Sequence, residues 1–157
     1  MKTLVVYYSR TGVTKKVAQV LSGMLCCDLE GVVDLKNRDG IKGYVIAGKD
    51  AVAKRLTEIQ VPLKEPAQYD LVIIGTPVWA FTMASAVRSY ITRYKSQMKK
   101  IAFFCTQGSA GSKATFKDMQ ELIGKAPEAV LELTTAEVSK DAYGAKLKEF
   151  LQKFSHA

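Results

Sequence analysis

Short, uniformly apolar runs alternate along the chain with stretches whose apolar residues recur every three or four positions. That alternation predicts an α/β fold with a parallel sheet covered by helices on both faces. Residues 3–8 form the first apolar run and predict a strand. Residues 13–25 follow as a helix with Val17, Leu21 and Met24 on one face, and residues 28–33 as a weaker second strand. Residues 71–75 are apolar throughout, which predicts a central strand. Val87, Ile91, Tyr94 and Met98 recur at helical spacing and predict a helix over residues 85–98. Residues 101–105 are another buried strand, and Thr115 with Asp118 resembles a capping pair for a helix ending at Gly124. Residues 130–138 supply a fifth strand. Tyr143, Leu147, Phe150, Leu151 and Phe154 mark a closing amphipathic helix.

Residues 36–68 fit the alternation poorly. Gly40, Gly43 and Gly48 predict loop or short turns, while Val52, Leu56 and Ile59 suggest a helix over residues 50–59, stopped by Pro62 and Pro66. The chain has 157 residues, which suits one domain over residues 1–157. Neither a secretory signal core nor a membrane-length apolar run is visible, so a cytoplasmic location is the default expectation. Cys26, Cys27 and Cys105 have no metal-ligand spacing and read as small apolar fillers in a reducing compartment.

Charge changes the picture more. Lys and Arg outnumber Asp and Glu by 23 to 15, a formal charge of +8. Such an excess can attract an acidic redox protein, a phosphorylated cofactor, an anionic membrane or nucleic acid. No carboxylate lies between Leu71 and Lys117, a stretch that carries Arg88, Arg93, Lys95, Lys99, Lys100, Lys113 and Lys117. Those cations are either a solvated helix face or a docking surface. The absence of interleaved aromatics argues against nucleic acid.

Open parallel sheets bind ligands beyond the carboxyl ends of their strands. Residues 9–14, 76–82 and 106–111 occupy those positions. The first reads Ser9-Arg10-Thr11-Gly12-Val13-Thr14 between a strand and a helix, and its hydroxyls, glycine and backbone amides can surround a phosphate. Lys15 and Lys16 oppose the helix dipole there, a sign that a bound dianion reverses. The G-x-x-x-x-G-K spacing of a Walker loop is missing. The alternative reading is an ordinary hydroxyl-capped helix start. Trp79, the only tryptophan, follows a buried strand and a proline, where it can stack on a flat ligand or simply pack.

Ser-x-Thr-Gly-x-Thr directly after the first strand resembles the phosphate loop of flavodoxins. Gly75-Thr76-Pro77-Val78-Trp79-Ala80-Phe81-Thr82 resembles their second flavin loop, and Cys105-Thr106-Gln107-Gly108-Ser109-Ala110-Gly111 their third. The resemblance runs from Leu4 to Leu151 with the loops in family order. It implies a flavodoxin-like three-layer sandwich, a five-stranded parallel sheet in the order 2-1-3-4-5, and one FMN. Ser9, Thr11, Gly12 and Thr14 would then hold the phosphate, with backbone amides from Arg10 and Val13. Thr76, Pro77, Val78, Trp79, Ala80 and Phe81 would border the flavin, and Thr106, Gln107, Gly108, Ser109 and Gly111 would close its far side.

Two departures from the family shape the functional expectation. The third loop has Gly108, Ser109, Ala110 and Gly111 where many flavodoxins carry a stacking tyrosine, which leaves one flavin face open, as in flavodoxin-like quinone and flavin reductases. The second loop lacks the glycine whose peptide often flips on one-electron uptake. Nor does either loop contain a carboxylate. At an effective dielectric of about 20, one charge at about 8 Å counts for roughly 2 kcal/mol, so electrostatics favour the anionic reduced flavin. The implied function is an FMN oxidoreductase passing electrons from a reduced donor such as NAD(P)H to a planar acceptor such as a quinone. A non-enzymatic electron carrier is the alternative, and a receiver-type signalling module would need acids where Ser9 and Thr76 stand. No acid-base or metal constellation is evident; the single His156 is penultimate and expected to fray.

Overall fold

The computed structural model of the protein describes residues 1–154; His156 lies outside the described residues. In chain order the elements are β1 (Thr3–Tyr7), α1 (Val13–Leu25), β2 (Asp28–Gly31), α2 (Gly40–Val52), β3 (Leu71–Trp79), β4 (Thr82–Met83), α3 (Ser85–Tyr94), β5 (Lys100–Gln107), α4 (Ser112–Ile123), β6 (Val130–Thr134), α5 (Thr135–Ser139) and α6 (Gly144–Gln152). The parallel strands run in the order β2-β1-β3-β5-β6, the arrangement that the resemblance to flavodoxins implies, while β4 folds back antiparallel on the end of β3.

The central strands are apolar on both sides because both sides are covered. Leu4, Val6, Val72, Ile74 and Phe103 face one layer with Val87, Ile91 and Met119. Val5, Leu71, Ile73, Ala102 and Phe104 face the other, against Val17, Leu21, Leu147 and Phe150. At roughly 1.5–3 kcal/mol for each large side chain removed from water, these two layers are the main stabilising term. Gly75 lets the sheet close over Phe104: a Cβ built there would lie 1.9 Å from the Phe104 Cζ. Gly75→Ala should therefore cost about 1–3 kcal/mol by overpacking. Urea unfolding checks this, and an unchanged midpoint would mean that the ring has room to move.

Four local expectations are corrected. Residues 40–52 are helical despite three glycines, because α2 lies against its neighbours through small or short positions. A Cβ at Gly43 would sit 2.1 Å from the Arg38 carbonyl carbon, and Ala47, Asp50 and Ala51 share the buried face. Each interior glycine costs about 1 kcal/mol of helix propensity, which close packing offsets. The helix proposed for residues 50–59 ends instead at Val52. Lys54 turns left-handed (φ 51°), and the amides of Lys54 and Arg55 reach back to the carbonyls of Ala51 and Asp50. Residues 33–35 and 58–60 then pair around an Asp34–Ile59 bridge.

Thr115 and Asp118 do not cap α4, which starts three residues earlier. The Thr115 hydroxyl donates to the Gly111 carbonyl, and Asp118 is drawn into an ion cluster. The fifth parallel strand stops at Thr134, where a reciprocal capping box with Glu137 starts α5. Smaller adjustments follow the same logic. Met24 is exposed, so the buried face of α1 is Thr14, Val17, Ala18 and Leu21. α3 ends at Tyr94 and passes through a single tight turn, Lys95–Gln97.

Candidate functional site

Parallel register brings the three predicted loops to one edge of the sheet. Tyr7 pairs with Gly75 and Pro77 with Thr106, so residues 9–14, 76–82 and 106–111 all leave from the same strand ends. Side chains join them. The hydroxyls of Thr14 and Thr106 lie 2.8 Å apart, both buried. Gly111 is left-handed (φ 113°), and a Cβ there would come within 2.7 Å of Val78 and 3.2 Å of Phe81. The third loop thus rests directly on the second.

The first loop ends in a helix start that lacks a side-chain cap. Gly12 is left-handed (φ 96°), no acid lies in the first turn of α1, and a Cβ on Gly12 would meet nothing within 4 Å. The Gly12 amide donates to Ser9 Oγ at 3.0 Å, which curls the loop around open space. The leading amides of α1 have no intrahelical acceptor, and Thr11 is exposed beside them. Lys16 is committed elsewhere, to Asp141 at 2.8 Å and the Val138 carbonyl at 3.1 Å. Arg10 also points away, donating from Nε to the Arg38 carbonyl (2.8 Å) and from Nη2 to that of Gly40 (2.9 Å).

Beyond the sheet, the second loop is a tight hairpin. Trp79 pairs with Thr82 across Ala80 and Phe81, both left-handed (φ 49° and 63°). Such turns prefer Asn-Gly, so two side chains with Cβ atoms are strained here. Two anchors hold the turn. The buried Thr76 hydroxyl accepts from the Ala84 amide and donates to the Pro77 carbonyl, so it faces into the hairpin base rather than outward. Thr82 donates to Asp118, which also accepts from Arg88 and pairs with Lys54 at 3.2 Å. Burial pushes the Asp118 carboxyl up, but the hydrogen bonds from Arg88, Thr82 and Lys54 hold it below the usual carboxylate range.

In the third loop, the Gln107 side-chain carbonyl accepts from the Ser112 amide and so starts α4, while Gly108, Ser109 and Ala110 are exposed. Ser112 in turn donates to Glu132. Loop-only reading of the sequence counted neither Asp118 nor Glu132, which chain folding carries to the loop edges. Asp118 is neutralised by Arg88 and Lys54; Glu132 is exposed and screened by solvent.

Trp79 is half-buried. Tyr8 meets its ring edge-on at 5.5 Å, and the Arg38 guanidinium lies 5.6 Å from its centre. Arg38 is itself buried and paired with Asp34 and with Asp50 at 3.0 Å. Burial, with Asp34 next, pushes the Tyr8 hydroxyl up to about 12, so it stays protonated at neutral pH. The Cys105 thiol is likewise pushed up to about 12, burial being the main cause, which makes it inert. Sequence reasoning missed the wall that α2 builds opposite the hairpin. Tyr44 and Val78 face each other across a groove of about 610 Å³. The available signal was the density of charge over residues 34–55, which is costly to bury without partners.

A family model described as flavodoxin matches residues 2–152. The chain belongs to the flavodoxin family. Flavodoxins are FMN-binding flavoproteins. A flavoprotein from Lactobacillus acidophilus NCFM, solved in complex with FMN, is 28% identical with a TM-score of 0.71, the match covering 88% of this chain and 97% of that one. The apo-form of the Lactobacillus flavoprotein aligns at 0.66 with the same identity, over 88% and 95%. A flavodoxin from the domain Archaea shares the fold at 15% identity and TM-score 0.56, over 98% and 99%. No curated protein matches the chain. No helix among the described residues is long and apolar enough to cross a membrane, and no cluster of His, Cys, Asp or Glu among them could hold a metal ion.

The donor set suits the flavodoxin cofactor. An uncapped helix start, hydroxyls on Ser9 and Thr11, and clear space above Gly12 match a phosphate dianion.

Proposed function

We propose that this flavodoxin-family protein holds FMN across residues 9–14, 76–82 and 106–111 and acts as a two-electron oxidoreductase, passing electrons from a reduced donor such as NAD(P)H to a planar acceptor such as a quinone. Ser9, Thr11 and the leading amides of α1 bind the phosphate, joined by Thr14 through the hydroxyl it shares with Thr106. Pro77, Val78 and Trp79 line one side of the ring system; Gln107, Gly108, Ser109 and Gly111 line the other. FMN supplies the electron carriage when bound. Overall, the donor loses two electrons and one proton, solvent gives a second proton, and the quinone leaves as the hydroquinone.

The observation that carries this reading is the open third loop. Gly108, Ser109 and Ala110 are exposed and offer no aromatic cover, so a second flat molecule can approach. Sustained oxidation of NADH or NADPH by the FMN-loaded protein, dependent on added quinone, is the expected result. Electron delivery only to a protein partner, with no quinone turnover, would replace the enzyme by a carrier.

Ala80 and Phe81 bear on how many electrons move together. A hairpin peptide locked between two left-handed residues without glycine cannot flip cheaply, and Asp118 beside it carries no uncompensated charge. Photoreduction should bleach the flavin in one phase with no long-wavelength band building up. A stable band as the main product would show that the turn rearranges.

A further inference from the structure

One face of α2 is unusually apolar for a helix open to water. Tyr44 is 67% exposed, Val52 is 68% exposed, and Val45 and Gly48 lie between them at helical spacing. This face does not look into empty solvent. It looks across the groove of about 610 Å³ at Val78 and Trp79. That volume falls within the ~300–1,000 Å³ typical of small-molecule sites, and aromatic walls select flat apolar ligands.

The charge in the groove is one-sided. Lys49 and Arg55 line it, and no carboxylate does. Lys49 has no ion-pair partner among the described residues. Arg55 reaches only Asp50, at 3.5 Å, a carboxylate already shared by Lys36 at 2.7 Å and Arg38 at 3.0 Å. Three cations thus share Asp50 and Asp34, which leaves net positive charge on the α2 side. A neutral flat molecule would satisfy the walls and leave both cations unanswered.

We infer that the groove between α2 and the hairpin binds a planar aromatic acceptor carrying an anionic substituent, its rings against Tyr44 and the α2-facing side of Val78 and Trp79 and its charge toward Lys49 and Arg55, while the flavin takes the opposite side of those two residues. This rests on the oxidoreductase reading for the acceptor's role, while the binding site stands on the groove alone. Lys49 and Arg55 are specificity-determining residues: they choose among acceptors and do not hold the FMN phosphate.

Calorimetric titration of the FMN-loaded protein with naphthalene sulfonate, and with the neutral alcohol of the same rings, tests this without turnover. At low salt the sulfonate should bind about tenfold more tightly than the alcohol, a preference that fades as salt screens it. The double variant Lys49→Glu/Arg55→Glu should abolish the preference and leave the alcohol's affinity within about threefold. Val52→Trp, which fills the groove, should weaken both ligands. Equal binding of the two probes, or a preference that survives the charge reversal, overturns the proposal. So does competition between FMN and the sulfonate, because the groove would then be the flavin's own seat. Flavin absorbance before any sulfonate is added separates the two readings: a protein that never takes up FMN yet binds the sulfonate keeps the groove and sinks the flavin assignment. Retained FMN without sulfonate binding sinks the groove alone.

Discussion

Thr11→Ala should weaken FMN about tenfold to a hundredfold and leave riboflavin nearly unchanged, since one hydrogen bond to a charged group is worth about 1.5–3 kcal/mol. Thr11 is exposed beside the helix start and has no hydrogen bond within the described protein, so its loss disturbs nothing else. Thr14→Val is a harsher change. Its hydroxyl lies 2.8 Å from that of Thr106, and removing it leaves a buried hydroxyl without its partner. That should cost about 1–3 kcal/mol of stability in addition to FMN affinity. Combining Thr11→Ala with Thr14→Val should bring the FMN loss to about a hundredfold or more while riboflavin changes only a few-fold. Flavin fluorescence titration with both ligands, beside a melting curve for each variant, reads the two effects separately. Equal losses for FMN and riboflavin would place the phosphate elsewhere.

The sheet was legible because its strands are buried on both faces. Leu71-Val72-Ile73-Ile74 has no alternation to misread, and its register then fixes where residues 9–14, 76–82 and 106–111 must emerge. The phosphate loop was legible for a related reason: hydroxyls and a glycine at a strand-to-helix joint are local chemistry. What escaped was whatever depended on partners distant in sequence. Gly40, Gly43 and Gly48 look like helix breakers until Arg38 is seen pressed against Gly43. Asp118 looked like half of a cap because its partners Arg88 and Thr82 lie 30 and 36 residues away. Thr134 with Glu137 is a different case. The residues of that capping box lie only three positions apart, so the signal was local and present in the sequence. The basic stretch between Leu71 and Lys117 was also only half read, since Arg88 is buried against Asp118 and is not part of any solvated face.

Arg38→Ala should be among the most damaging single changes in the protein, because it bares two carboxylates at once. Arg38 is buried against Asp34 and Asp50, and its removal leaves both in a site with little water. Breaking a buried pair by deleting one partner costs about 3–5 kcal/mol. Lys36 and Arg55 still reach Asp50, so the lower end of that range is expected. For a chain of this size each kcal/mol is worth about 2–4 °C, so the melting temperature should fall by roughly 6–12 °C. The pH dependence identifies the cause. Burial raises the Asp50 carboxyl, but Lys36 and Arg38 bring it below its ordinary value. In the parent protein its contribution is therefore complete above the unfolded carboxylate pKa and is lost as pH falls through the lower folded one. Without Arg38 one of the groups that lower it is gone, so the folded-state pKa rises and the carboxylate contributes less stability near neutrality. The variant's deficit should be largest near neutrality and shrink on acidification. Melting curves at several pH values check this. A deficit that stayed constant with pH would mean that Arg38 acts by packing beneath Trp79, not by pairing with Asp34 and Asp50.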